Sequence, residues 1–123
     1  MTWLLVMAGG AGGSALRYGL ALLMNPGVGG GWPWGTLAAN VAGCVLMGWL
    51  SSLLSSAVDV PEAVRVGVLV GILGGFTTFS SFGLETFRFL QGGQLGQAAA
   101  YVALSNLAGI GGLWIGLRVS AHA

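Results

Sequence analysis

Long apolar stretches alternate with short polar or turn-forming clusters along this chain. A helix needs about 20 mostly apolar residues to cross a hydrocarbon core. Four stretches reach that length: about Trp3 to Met24, Trp34 to Val58, Ala63 to Leu90 and Leu95 to Val119. Between them lie Asn25-Pro26-Gly27 with Trp32-Pro33, then Asp59-Val60-Pro61-Glu62, then Gln91-Gly92-Gly93-Gln94. Such clusters carry strong turn chemistry, and Pro61 suits the first turn of the helix that follows. The pattern predicts an all-α integral membrane protein of four transmembrane helices. It forms a single domain over residues 1–123, with both termini on one side.

One stretch departs from a plain lipid-facing helix. Within the third, Gly74-Gly75-Phe76-Thr77-Thr78-Phe79-Ser80-Ser81-Phe82 sets paired glycines beside hydroxyls and aromatic rings. Interrupted backbone at membrane depth is tolerated only where protein buries it or where it lines a cavity. The third helix is therefore expected to be broken here, and such breaks hold ions in transporters.

Composition closes the soluble alternative. Charged residues make up 6% of the chain and hydrophobic ones 55%, against about 25% charged in soluble domains. The first residues, Met1 to Met7, lack the basic flank of a cleaved signal, so the first stretch is expected to remain as a span. Trp3, Trp32, Trp34 and Trp114 fall near segment ends, where interfacial aromatics belong. The net charge of +1 points to no nucleic acid. Cys44 is the single cysteine, so no disulfide forms within one chain, and a buried thiol behaves as a small hydrophobe.

Arg65 and Arg118 lie toward the face that carries the termini, Arg17 and Arg88 toward the other. The positive-inside rule sets orientation by an excess of basic residues on one side. No excess exists, so dual topology and an antiparallel homodimer follow, unless a weak flanking bias decides. A unit this small has little interior for a polar path, which two copies could build between them.

The 24 glycines exceed what loops require. Gly67, Gly71 and Gly75 recur every fourth residue, as do Ser105 and Gly109, then Gly112 and Gly116. Small residues at that spacing let helices approach closely in lipid.

The polar residues inside the spans are few. Thr36 and Asn40 share one face of the second helix, and Asn40 serves either as interhelical glue or as a ligand group. Phe79 and Phe82 follow the break three residues apart. They are packing aromatics, or their electropositive ring edges face an anion. Ser80, Ser81, Ser105 and Asn106 add hydroxyl and amide groups, which would otherwise bond a carbonyl four residues back. Glu85 and Arg88, three apart, are expected to form an ion pair rather than couple protons. Arg17 needs a partner or must snorkel. No Cys/His cluster, nucleophile–histidine pair or phosphate motif is present, and the one histidine, His122, sits in the tail. An enzyme is not expected.

Three elements carry a family resemblance: Gly9-Gly10 through Arg17-Tyr18, then Gly35-Thr36-Leu37-Ala38-Ala39-Asn40, then Gly74 through Phe82 with Glu85 beyond. Over almost its whole length the chain resembles the Fluc (CrcB) fluoride channels. The resemblance implies a dual-topology homodimer with two antiparallel pores in the cell inner membrane. It would conduct fluoride passively, exclude chloride and clear toxic fluoride from a microbial cytoplasm. By position, Phe79 and Phe82 are the implied pore phenylalanines, and Asn40 the central polar residue. Ser80 and Ser105 are implied donors along the path, with Thr36 one turn before Asn40. A structural Na+ at the dimer centre is implied, held by main-chain carbonyls of Gly74 and Thr77. Two departures stand out: Ser81 where the family usually has Thr, and Gly109 where it often has a hydroxyl. The alternative is a small dual-topology, proton-coupled exporter of cationic drugs, for which Glu85 is the candidate carboxylate.

Overall fold

The computed structural model describes residues 1–25 and 31–121, and every element within them is helical. Pro26, Gly27 and His122 lie outside the described residues. Helix α1 spans Thr2–Met24 and α2 spans Trp34–Ser56. The third stretch is composite: α3 (Glu62–Val66), a π-helical segment Gly67–Leu73, α4 (Gly74–Phe76), then α5 (Phe79–Gln91). Helix α6 spans Leu95–Ala121. Pro61 stands just before α3 as its N-cap, with its carbonyl accepting from Val64 and Arg65 at 3.1 Å. The α5–α6 connection turns at Gly93, whose φ of 74° favours a residue without a Cβ.

Among the described residues, three helical stretches are long and apolar enough to cross a membrane: Trp34–Ser56, Glu62–Gln91 and Leu95–Ala121. Helix α1 has 23 residues, about 34 Å at the usual rise, but five glycines with Ser14 and Arg17 dilute its apolar character.

The glycines act as the spacing suggests. Gly9, Gly13, Gly71 and Gly75 bring α1 against the third stretch, and a Cβ at Gly75 would stand 2.6 Å from the Gly10 carbonyl oxygen. Gly48, Gly112 and Gly116 do the same between α2 and α6; a Cβ at Gly116 would run into the Val45 carbonyl and reach 2.7 Å from the Trp49 nitrogen. Residue order matches along both pairs, so each pair runs parallel, as alternating up and down helices require.

Side-chain burial concentrates elsewhere. Leu37, Phe89, Ala98 and Tyr101 form the buried cluster, with Trp32, Val41 and Phe82 packed against it. Tyr101 is 0% exposed and is the one large side chain so fully enclosed among the described residues. The molecule thus has backbone-to-backbone seams along its length and an aromatic knot toward one end.

Candidate functional site

The site begins with an interruption of the backbone. Thr77 (φ −87°, ψ 157°) and Thr78 (φ −150°, ψ 124°) are extended, so the break falls after the glycine pair rather than at it. Gly74 and Gly75 are themselves helical, and Gly75 serves the close contact with α1. What opens the chain is the diversion of three helical hydrogen bonds. The Thr78 N–H donates to Asn40 Oδ1 at 2.7 Å, while Asn40 Nδ2 donates to the Thr78 carbonyl at 2.9 Å. The Ser81 N–H donates to Thr78 Oγ1 at 3.2 Å, an N-cap for α5. Arg17 Nε donates to the Gly75 carbonyl at 3.2 Å. Thr78 and Ser81 hold the N–H groups that would have closed onto Gly74 and Thr77 in a continuous helix. These two carbonyls are therefore released from the ladder.

Beside the break lies a half-open cavity of about 270 Å³. Asn40, Thr77, Thr78, Phe79, Phe82, Ser105 and Asn106 line it, with Gly43, Cys44, Met47 and Leu113. The Phe79 and Phe82 rings are tilted by 47° with centroids 5.7 Å apart, and Phe79 is 83% exposed. The Ser105 hydroxyl oxygen is buried and has no hydrogen-bond partner among the described residues. A buried hydroxyl left in that state costs about 1–3 kcal/mol. The lining therefore combines ring edges, an amide and a donor awaiting an acceptor, with no full charge.

A second, wider cavity of about 650 Å³ opens beyond the knot, lined by Asn25, Thr36, Glu85, Arg88, Phe89 and Gln94 among others. Glu85 is held there by two hydroxyls: Thr36 Oγ1 donates to Oε2 at 3.1 Å and the Tyr101 hydroxyl to Oε1 at 3.3 Å.

The sequence pattern of the family described as CrcB-like protein, Camphor Resistance (CrcB), matches residues 4–117. The chain belongs to the CrcB family. A relative from Caulobacter vibrioides is 48% identical over 95% of this chain and 93% of its own length. One from Thermus thermophilus is 44% identical over 95% and 93%, and one from Pseudomonas fluorescens is 43% identical over 95% and 94%. Each of the three bears the name fluoride-specific ion channel FluC.

In this CrcB chain the residues singled out from sequence divide between the two cavities. Asn40, Phe79, Phe82, Ser105 and Thr77 meet at the first, and Thr36 belongs to the second. Ser80 is exposed, its hydroxyl 3.3 Å from Thr78 Oγ1, and Gly74 is exposed on the neighbouring turn. Asn106 donates back to the Val102 carbonyl at 2.8 Å. Gly109 packs toward the Cys44 sulfur, which a Cβ there would approach to 3.4 Å. The expected Glu85–Arg88 ion pair is replaced: Glu85 turns inward to Thr36 and Tyr101. Among the described residues the ion pair is Arg65–Glu62 at 3.0 Å. Tyr101 and Thr78 escaped the sequence reading. A phenol inside a span needs a hydrogen-bond partner, and Tyr101 stands one turn before Ser105 on the same helix; that was the available signal.

Proposed function

We propose that this CrcB chain is a fluoride-selective passive ion channel of the cell membrane, lowering fluoride in the cytoplasm. The observation that carries the reading is the near-full-length match to relatives named as fluoride-specific ion channels. The chemistry of the smaller cavity agrees with it. A small hard halide gives up water reluctantly, and uncharged donors with phenyl edges can replace that water without trapping the ion. Asn40, Phe79, Phe82, Ser80 and Ser105 form the path, and Thr36 lies toward its wide mouth. Asn40 keeps one amide N–H beyond the one it gives to Thr78.

All four long helices cross the bilayer in this reading, α1 included. The balance of Arg17 and Arg88 against Arg65 and Arg118 supports two orientations. The open cavity, with interrupted backbone at Thr77–Thr78 and polar groups in its lining, is unsuited to lipid, which supports closure by an inverted second copy. The released carbonyls of Gly74 and Thr77 are hard oxygen donors that fit a Na+ at the centre of such a dimer. When bound there, the ion would supply a fixed positive charge and join the two subunits. Glu85, engaged by two hydroxyl groups, is not needed as a proton carrier.

The test is efflux from liposomes loaded with fluoride, the membrane potential clamped by an ionophore, read with a fluoride electrode. Fast efflux without a pH gradient is expected; efflux no faster than from empty liposomes rejects the proposal.

A further inference from the structure

Two tryptophans flank Pro33 and do different work. Trp34 is 51% exposed, as an interfacial anchor should be. Trp32 turns inward. It meets Tyr101 edge-on, with ring planes at 87° and centroids 5.7 Å apart, and touches Phe89 at 5.9 Å. Tyr101 in turn packs on Phe82 at 5.2 Å and donates its hydroxyl to Glu85. One ring therefore touches both the cavity aromatic and the carboxylate of the wide cavity.

Trp32 is itself held. Asn25, capping the end of α1, donates Nδ2 to the Trp32 carbonyl at 2.9 Å and accepts from the Gly35 N–H at 2.7 Å. Gly35 allows this contact, since a Cβ there would lie 2.7 Å from the Ala21 Cα. The amide of Asn25 thus fixes the chain on both sides of Pro33 and presses the indole onto Tyr101.

We propose that Trp32 is a positioning residue for conduction. Clamped by Asn25, it sets the Tyr101 ring, and through it the Phe82 ring edge and the Glu85 carboxylate. The inference rests on the fluoride-channel reading, because it assigns Phe82 to the ion path. A buried aromatic that fills space alone would affect stability but not selectivity. A positioning residue affects both, because the ring edge must point at the ion.

The experiment uses the full chain in liposomes, with fluoride and chloride efflux measured in parallel. Trp32→Ala is expected to lower fluoride efflux, or raise chloride relative to fluoride, by about tenfold, and Trp32→Phe to restore most of it. Asn25→Ala, which keeps the indole but removes its clamp, should shift selectivity in the same direction. Wild-type flux and selectivity in Trp32→Ala overturns the proposal, as does equal loss in Trp32→Phe with altered gel-filtration behaviour. Should Trp32→Ala not fold, unchanged selectivity in Asn25→Ala overturns it instead. An independent arm is fluorine NMR of fluorotryptophan-labelled protein, with the Trp32 signal assigned through Trp32→Phe. That signal should move in Glu85→Gln and lose most of that response in a Tyr101→Phe background, which removes the hydroxyl link to Glu85 but keeps the route through Phe89. A fixed signal overturns the proposal even if the wild type carries no fluoride, the result that sinks the channel reading alone.

Discussion

Ser105 and Asn40 are both polar residues in apolar helices, yet their surroundings separate them. Asn40 is satisfied at its oxygen and at one of its two amide N–H groups, both on Thr78. Ser105 is not. Removing an unpaired buried hydroxyl breaks no bond and relieves its desolvation cost, so Ser105→Ala should raise stability by about 1–3 kcal/mol. If that hydroxyl meets the ion, the same change lowers fluoride efflux by about tenfold, the equivalent of one good hydrogen bond in the rate-limiting step. Melting in detergent and liposome efflux check the two halves separately. Sequence showed that Asn40 and Ser105 needed partners, because each is polar inside an apolar span. It could not show which would find one. The inward turn of Glu85 was equally hidden, since it depends on Tyr101 lying sixteen residues away across a helix hairpin.

At the scale of elements, the molecule joins its helices by two different means. Apolar side chains gain little by leaving lipid for protein, so α2 and α6 rely on backbone proximity. Gly48→Ala should therefore be severe, because its methyl would collide with the Leu113 carbonyl and stand 3.0 Å from the Leu117 nitrogen. We expect a loss of several kcal/mol, seen as aggregation during purification or a markedly lower melting temperature. Gly12→Ala is the control: nothing lies within 4 Å of the added methyl, and alanine is about 1 kcal/mol the better helix former. The spacing of glycines was readable, as was the existence of a break. So was its place within Gly74–Phe82, but not the residues at which the chain parts. Glycine pairs suggest flexibility, but here the chain parts at Thr77–Thr78, because Asn40 and the Thr78 hydroxyl offer better partners than the helix does. The π-helical segment Gly67–Leu73 left no trace in the pattern either; it adjusts the third stretch where Gly67 and Gly71 press on Leu5 and Val6 of α1.

For the whole molecule, balanced arginines and an unclosed polar cavity lead to the same expectation. Purified protein should migrate as a dimer in detergent. Single cysteines placed on one terminal face, in a Cys44→Ser background, should label from both sides of intact vesicles. Exchange of sodium for a larger cation should shift the dimer toward monomer, because carbonyls spaced for one radius do not suit another. A dimer indifferent to the cation rejects the role given to Gly74 and Thr77. Labelling from one side alone rejects the inverted pairing.

The crossed bonds between Asn40 and Thr78 also make the interruption observable from outside. In an ordinary span, an amide deep in hydrocarbon exchanges with deuterium only when several helical turns come undone together. The Thr78 amide answers to a single carboxamide instead. Its deuterium uptake clocks how often the Asn40 side chain swings away, independently of whether the rest of the rod frays.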